Sequence, residues 1–139
     1  MRNTILAFIL LLFSCKSTAE SGLIINSSMP LMTISAYEVR GIFSGKIRHW
    51  KNGSNVHLYI LPLDSLATRL FLLENVGMSS TQFQDIISMN ESVGKQNLYI
   101  LKLTEDDVLH SIQVDATGIG YVKDINNLVD GVKKVKVLQ

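Results

Sequence analysis

Residues 35–84 decide the fold, and they read SAYEVRGIFSGKIRHWKNGSNVHLYILPLDSLATRLFLLENVGMSSTQFQ. Ser35 and Glu38 have the spacing of a capping box, in which the hydroxyl accepts from the third N–H of a helix and the carboxylate returns to the N–H of the cap. Gly45 is typical of a helix end, because glycine adopts a left-handed backbone without strain. The stretch is therefore predicted to begin with a short helix.

A strand and a second helix follow in the same stretch. Residues 56–63 are mostly apolar and are stopped by Pro62, which is typical of a buried strand. Asp64-Ser65 is then predicted to open a helix that ends at Gly77. The buried stripe predicted for this helix consists of Leu66, Leu70 and Leu73, with Ala67 and Phe71 beside it.

The rest of the chain continues the alternation of strands and helices. Further strands are predicted at residues 23–25, 98–103, 116–122 and 132–138, and further helices after the capping residues Ser79 and Thr104. This alternation predicts an α/β fold with a mixed central sheet flanked by helices. We expect the sheet to carry Ile24, Ile60, Tyr121 and Val135 on its strands. The 139 residues provide for one compact domain.

Several of these elements resemble a known family. Residues 42–47, which read IFSGKI, stand before Trp50, and Gly118-Ile119-Gly120-Tyr121 forms a later strand. Together with the helix start at Asp64-Ser65, they resemble one lobe of the phosphate-binding component of phosphate ABC transporters, the periplasmic binding protein type II fold. The resemblance covers nearly all of residues 20–139 and implies a single lobe. We expect Trp50, like the phenylalanine of the IFSGKI motif, to be a substantially buried packing residue.

The same resemblance implies a ligand site at the helix start after Asp64. Free N–H groups and a partial positive charge at a helix N-terminus suit phosphate or another small oxyanion. Proteins of the resembled family carry a Ser-Gly-Thr turn here. The candidate ligand-binding residues of this chain are Ser65, Leu66, Ala67, Thr68 and Arg69. The residues themselves leave a second interpretation open, in which Ser65 is a plain N-cap worth about 1 kcal/mol of helix stability.

Other kinds of chemistry are not indicated by the sequence. His49, His57 and His110 lie far apart with no ligand spacing, so no metal site is expected. No Ser–His–Asp or Cys–His signature is present, which favours a binding protein that is not an enzyme and needs no cofactor. Residues 20–139 retain 11 Lys and Arg against 12 Asp and Glu, so no basic field favours nucleic acid.

Residues 1–19 are predicted to be a secretory signal peptide. The apolar run 5–13 is followed by Ser17-Thr18-Ala19, the small residues that precede a cleavage site. The run has nine residues, whereas a transmembrane helix needs about 20. A periplasmic protein beginning at Glu20 is the expected product. The alternative is a lipoprotein anchored through Cys15, because Leu12-Phe13-Ser14-Cys15 resembles a lipobox.

Two functions follow from these observations. The first is an exported substrate-binding protein of the phosphate-binder type that binds an oxyanion weakly, because one lobe offers only half of an enclosed site. The alternative is an envelope interaction module without a small ligand. Its surface would dock a transporter subunit, a sensor or a porin.

Overall fold

The computed structural model describes residues 20–94 and 98–139, so the predicted signal segment and its cleavage sites lie outside the described residues. The strands are β1 (Gly22–Asn26), β2 (Thr33–Ser35), β3 (His57–Ile60), β4 (Tyr99–Leu101), β5 (Gly118–Val122) and β6 (Val132–Leu138). The α-helices are α1 (Ala36–Phe43), α2 (Leu66–Phe71), α3 (Ser80–Ser92) and α4 (Glu105–Gln113). A π-helical turn, Leu72–Val76, extends α2, and a 3₁₀ turn covers Ile125–Asn127.

The six strands form one mixed sheet in the order β2-β6-β1-β5-β3-β4. The strand β1 is antiparallel to both of its neighbours, with Leu23 opposite Tyr121 on one side and Val135 on the other. The pairs β2–β6, β3–β4 and β3–β5 are parallel, so the other five strands all run in one direction. The predicted mixed α/β architecture is confirmed, and the four residues expected on its strands lie there.

Two layers of helices cover the two faces of the sheet. On one face the ring of Tyr121 stacks on Phe71 at a centroid distance of 4.7 Å, and Phe43 lies 6.0 Å from the same ring. On the other face α4 approaches closely, because a Cβ added to Gly120 would lie 3.0 Å from Ile112 Cδ1. Neighbouring residues of a strand point to opposite faces of the sheet. Gly120 therefore faces α4, whereas Tyr121 faces the layer that contains Phe43 and Phe71.

The local signals for helix ends are confirmed, except that the capping box predicted for Ser35 and Glu38 forms only the bond from the Glu38 N–H to the Ser35 hydroxyl. Ser79 and Gln82 form both bonds of a capping box at the start of α3. Gly45 and Gly77 follow α1 and the π-helical turn with φ values of +78° and +74°, a region in which other residues are strained. These signals depend on neighbours within a few positions in the chain, which is why the sequence alone reveals them.

The stripe predicted for the helix after Ser65 is wrong at Leu66 and Leu73, whereas Ala67 and Phe71, predicted beside it, are buried. The structure buries Thr68 and Leu72, whereas Leu66 and Leu73 are exposed. One physical reason is the π-helical turn, which pairs residues five positions apart. Within this turn the side chains no longer repeat every 3.6 residues, so Leu73 is displaced from the predicted stripe. The other is the hydroxyl of Thr68, which has buried partners described below.

Trp50 is less buried than expected. Phe43 is fully buried, whereas Trp50 is half-buried and packs at the edge of the core. The indole Nε1–H donates to the carbonyl oxygen of Thr117 at 3.0 Å, which holds the ring against the loop before β5. Trp50 is therefore a half-buried packing residue at the edge of the core.

Candidate functional site

The helix α2 begins just beyond the carboxyl end of β3, with Ser65 as its N-cap. The Ser65 Oγ accepts from the N–H of Thr68 at 3.2 Å, and the Ser65 N–H donates to the carbonyl oxygen of Pro62 at 2.9 Å. The N–H groups of Leu66 and Ala67 belong to the first turn of the helix, where no preceding turn supplies an acceptor. These two groups are the donors that the helix start offers to a ligand.

A buried hydroxyl network fixes the position of this helix start. Thr68 Oγ1 donates to the carbonyl oxygen of Leu61 at 3.3 Å and lies 2.7 Å from the Tyr121 hydroxyl. The Ser65 hydroxyl donates to the same Thr68 oxygen at 3.0 Å. The Tyr121 oxygen in turn accepts from the Leu61 N–H at 3.0 Å. Burial raises the pKa of Tyr121 against the lowering effect of its bonds with Thr68 and Leu61, so the phenol stays protonated.

The five predicted site residues divide into three groups. Ser65 and Thr68 are brought together by their hydroxyls, and both hydroxyls are used inside the protein. Leu66 and Ala67 contribute N–H groups, with the Leu66 side chain 49% exposed and Ala67 buried. Arg69 is exposed on the helix surface, one turn beyond the cap. The structure thus favours backbone donors over side-chain donors at this helix start.

An open groove of about 630 Å³ lies beside the same helix start. It runs between the side chains of β3 and β4 and the helix α3. The groove is lined by Ile60, Pro62, Leu63, Asp64, Ser80, Thr81, Gln84, Ile87, Glu91, Tyr99 and Leu101. Its wall is mostly apolar, and among the described residues of the lining Asp64 and Glu91 are charged.

Tyr99, at the inner wall of this groove, connects three elements. Its hydroxyl donates to the carbonyl oxygen of Phe43 at 2.6 Å and accepts from Asn90 Nδ2 at 3.0 Å. The same amide group donates to the carbonyl oxygen of Ser44, so Asn90 and Tyr99 together satisfy the carboxyl end of α1. Burial raises the pKa of Tyr99 to about 12, so the phenol remains a donor at physiological pH.

A second polar cluster lies at the amino ends of β3 and β5, the end of these parallel strands opposite to the helix start. Asp115 Oδ2 accepts from the Tyr59 hydroxyl at 2.6 Å and lies 2.8 Å from His57 Nδ1. Asp115 Oδ1 accepts from both the N–H and the hydroxyl of Thr117 at 3.0 Å. Burial alone would raise the pKa of Asp115, but the bonds from Tyr59, His57 and Thr117 lower it below the ordinary value of Asp. Burial and the neighbouring carboxylate raise the pKa of Tyr59.

Sequence reasoning missed this cluster. Its signal is weak: Asp115-Ala116-Thr117-Gly118 has the composition of a turn in which an Asp side chain bonds the backbone two residues on. His57 is 58 positions away from Asp115 in the chain, and no spacing rule connects them. Through these hydrogen bonds the cluster holds the start of β3 against the loop before β5.

Two kinds of functional feature are absent from the described residues. Within residues 20–94 and 98–139, no three His, Cys, Asp or Glu side chains lie close enough together to hold a metal ion. In the same part of the chain, no helix is both long and apolar enough to cross a bilayer.

The fold was compared with solved structures. An ABC-type phosphate transport receptor from Vibrio cholerae matches 86% of this chain with a TM-score of 0.57 and 12% identity, over 46% of its own length. PstS from Borrelia burgdorferi matches 86% with a TM-score of 0.60 and 15% identity, over 47% of its length. A phosphate-binding protein from Stenotrophomonas maltophilia matches 86% with a TM-score of 0.60 and 18% identity, over 39% of its length.

The chain shares its fold with phosphate-binding proteins of ABC transporters. It spans less than half the length of these three proteins. No protein-family model matches the chain, and the comparison with curated proteins gives no match. At identities of 12–18% the likeness shows the fold, and the resemblance carried by the IFSGKI motif and Trp50 is confirmed at that level.

Proposed function

We propose that this protein is an exported binding protein, not an enzyme, that binds phosphate or another small oxyanion weakly at the start of α2. The observation that carries the proposal is the pair of first-turn N–H groups, of Leu66 and Ala67, held in place by the bonds between Ser65, Thr68 and Tyr121. The fold supports it, because two proteins with this fold, from Vibrio cholerae and Stenotrophomonas maltophilia, are named for phosphate transport and phosphate binding.

The proposed affinity is low for a structural reason. The helix start faces solvent, as the exposure of Leu66 and Arg69 shows, so charge-assisted hydrogen bonds there are screened. Asp64, directly before the cap, adds a negative charge that opposes an anion. A dissociation constant in the millimolar range is therefore proposed, with Arg69 as the residue that reaches the ligand from the next turn.

The test is a thermal unfolding titration of residues 20–139 with phosphate and sulfate. About 10 mM phosphate on a millimolar site should stabilise the protein by about 1–1.5 kcal/mol, and added salt should reduce the shift. The double variant Ser65→Ala with Arg69→Ala should abolish it, because it removes the proposed cation and the hydroxyl that holds the first-turn N–H groups in place. Ser79→Ala is the matched control, because Ser79 caps α3 in the same way. A shift that survives the double variant, or that Ser79→Ala also removes, contradicts the site.

A second candidate is an interaction module of the cell envelope, whose partner would be a transporter subunit, a sensor or a porin. The observation that favours it is apolar exposure near the helix start: Leu66 is 49% exposed and Leu103, just beyond β4, is 74% exposed. A photocrosslinking residue at either position should join the protein to one envelope protein in intact cells. Crosslinks no more frequent than from an exposed position such as Glu74 would exclude it.

The proposed export has its own measurement. Protein recovered from the periplasm should begin at Glu20 on N-terminal sequencing. A blocked N-terminus at Cys15 in the detergent fraction would establish the lipoprotein alternative, and a chain beginning at Met1 in the cytoplasm would exclude both.

A further inference from the structure

The tight turn that precedes β3 contains an Asn-Gly pair, Asn52 and Gly53, and both residues are exposed. The Gly53 N–H donates to the carbonyl oxygen of Trp50 at 2.9 Å, and the Trp50 N–H donates to the carbonyl oxygen of Ser54 at 2.8 Å. Gly53 has a φ of +88°, which glycine adopts without strain. Because glycine has no side chain, nothing on Gly53 hinders its nitrogen from approaching the side chain of Asn52.

The side-chain amide of Asn52 is held through its oxygen. Asn52 Oδ1 accepts from the N–H of Ser54 at 3.0 Å and from the Ser54 hydroxyl at 2.6 Å. A backbone N–H can only donate, so the amide atom that faces Ser54 is the oxygen. The amide nitrogen, Nδ2, has no hydrogen-bond partner among the described residues.

The deamidation of an Asn-Gly pair needs these same groups. The glycine nitrogen attacks the asparagine Cγ and forms a succinimide ring. The bond from Cγ to Nδ2 breaks, and ammonia leaves with the proton that the glycine N–H has given up. Water then opens the ring to aspartate or isoaspartate. Negative charge develops on Oδ1 during the attack, and donors that already point at this oxygen stabilise that charge.

Asn26 shows the same two donors in a setting that opposes the reaction. The N–H and the hydroxyl of Ser28 donate to Asn26 Oδ1 at 2.9 and 2.6 Å. Asn26 is buried, however, and its Nδ2 donates to the carbonyl oxygens of Ile112 and Gln113 at 2.8 and 3.2 Å. The residue after Asn26 is Ser27, whose side chain hinders the attack. The leaving group is thus held at Asn26 and is not held at Asn52.

From the exposed Asn52-Gly53 pair and the two donors of Ser54, we infer that Asn52 is a site of spontaneous deamidation and that Ser54 accelerates the reaction. Isoaspartate adds a carbon to the main chain inside this turn, which disturbs the hydrogen bonds that position Trp50. Since the indole of Trp50 donates to Thr117, the change reaches the loop before β5. The inference is independent of both candidate functions, because none of their residues belongs to the turn.

The test follows conversion of the purified protein by mass spectrometry after digestion at acidic pH, with an isoaspartyl methyltransferase to measure isoaspartate. Asn52 should convert, and faster as the pH rises, because hydroxide removes the Gly53 proton. Asn26 should remain intact. Ser54→Ala should slow conversion of the folded protein by at least about five-fold, the effect of one hydrogen bond, and should have no effect in guanidinium chloride. Ser28→Ala is the matched control, because it removes the same donor from Asn26.

Ser54→Thr separates the loss of the donor from a disturbance of the turn, since it keeps a hydroxyl and should keep the wild-type rate. Four results would overturn the inference. They are an unconverted Asn52 in the folded protein, equal rates at Asn26 and Asn52, a rate in Ser54→Ala that equals or exceeds that of the wild type, and equal slowing by Ser54→Thr and Ser54→Ala. A faster reaction in Ser54→Ala would show that the two bonds protect the amide.

Discussion

The hydroxyls of Thr68 and Tyr121 lie 2.7 Å apart, in a bond that joins the first turn of α2 to the middle of the sheet. The Thr68 hydroxyl also donates to the carbonyl oxygen of Leu61, so Leu61, Thr68 and Tyr121 belong to one network. The position of the helix start is thereby set by a strand that lies 53 residues further along the chain. A substitution at Tyr121 should therefore alter the position of the helix start.

We expect Tyr121→Phe to lower the free energy of unfolding by about 1–3 kcal/mol. The substitution leaves the buried Leu61 N–H without its acceptor, and such a group costs this much. Urea denaturation measures the change. Tyr37→Phe is the matched control, because the Tyr37 side chain is on the surface and 78% of the residue is exposed. Equal stabilities of Tyr121→Phe and Tyr37→Phe would contradict the role of the network.

Phe43→Ala and Trp50→Ala should differ in cost. Phe43 is fully buried among other aromatic rings, so its truncation should cost about 3–5 kcal/mol. Trp50 is half-buried, and its truncation also removes one hydrogen bond, so we expect Trp50→Ala to lower the free energy of unfolding by about 1–3 kcal/mol. Chemical denaturation of both variants gives the order. A greater loss for Trp50→Ala would mean that the ring carries more of the core than its exposure indicates.

Asp115 should make the protein sensitive to acid. Its pKa is lowered in the folded state, so its contribution is complete above the ordinary Asp value of 3.8 and is lost as the pH falls through that value toward the lower folded pKa. Asp115→Asn should destabilise the protein at neutral pH and should flatten the decline of stability below about pH 4. Asp130→Asn, at an exposed position, should leave the decline unchanged. Parallel acid profiles of Asp115→Asn and the wild type would refute the assignment.

Leu66→Gly should strengthen phosphate binding if the oxyanion proposal holds. Removal of the side chain lets the ligand approach the N–H groups of the first turn more closely. The cost is about 1 kcal/mol of helix stability. Isothermal titration with phosphate measures the effect, and Leu66→Ala separates the loss of bulk from the change in backbone freedom. Weaker binding by Leu66→Gly than by the wild type would contradict a backbone-donor site.

Local signals in the sequence account for the parts of the fold that could be predicted. The capping box of Ser79 and Gln82 spans three positions, and Gly45 and Gly77 mark their helix ends by themselves. The short strand β2 was not predicted, because three residues are too few to show an alternating pattern. Its parallel pairing with β6 is what defines it as a strand.

The candidate site was predictable only in part. Ser65 as an N-cap follows from its own neighbourhood, and the structure confirms the bond from the Thr68 N–H. The burial of Thr68 could not be predicted, because its stabilising partner is Tyr121 and nothing local marks that pair. The carboxylate of Asp115 likewise comes within hydrogen-bonding distance of His57 and Tyr59 only because β3 pairs with β5. Tertiary contacts of this kind override the periodic pattern of a segment.

The antiparallel placement of β1 has a consequence for the order of folding. Both of its partners lie near the other end of the chain, since β1 pairs with β5 and with β6. A nascent chain that stops before Gly118 can form neither pair, so the middle of the sheet closes only after about the last sixth of the chain is available. Such distant pairing makes folding slow, so a newly made chain remains open for a time, a property that would suit the export proposed above.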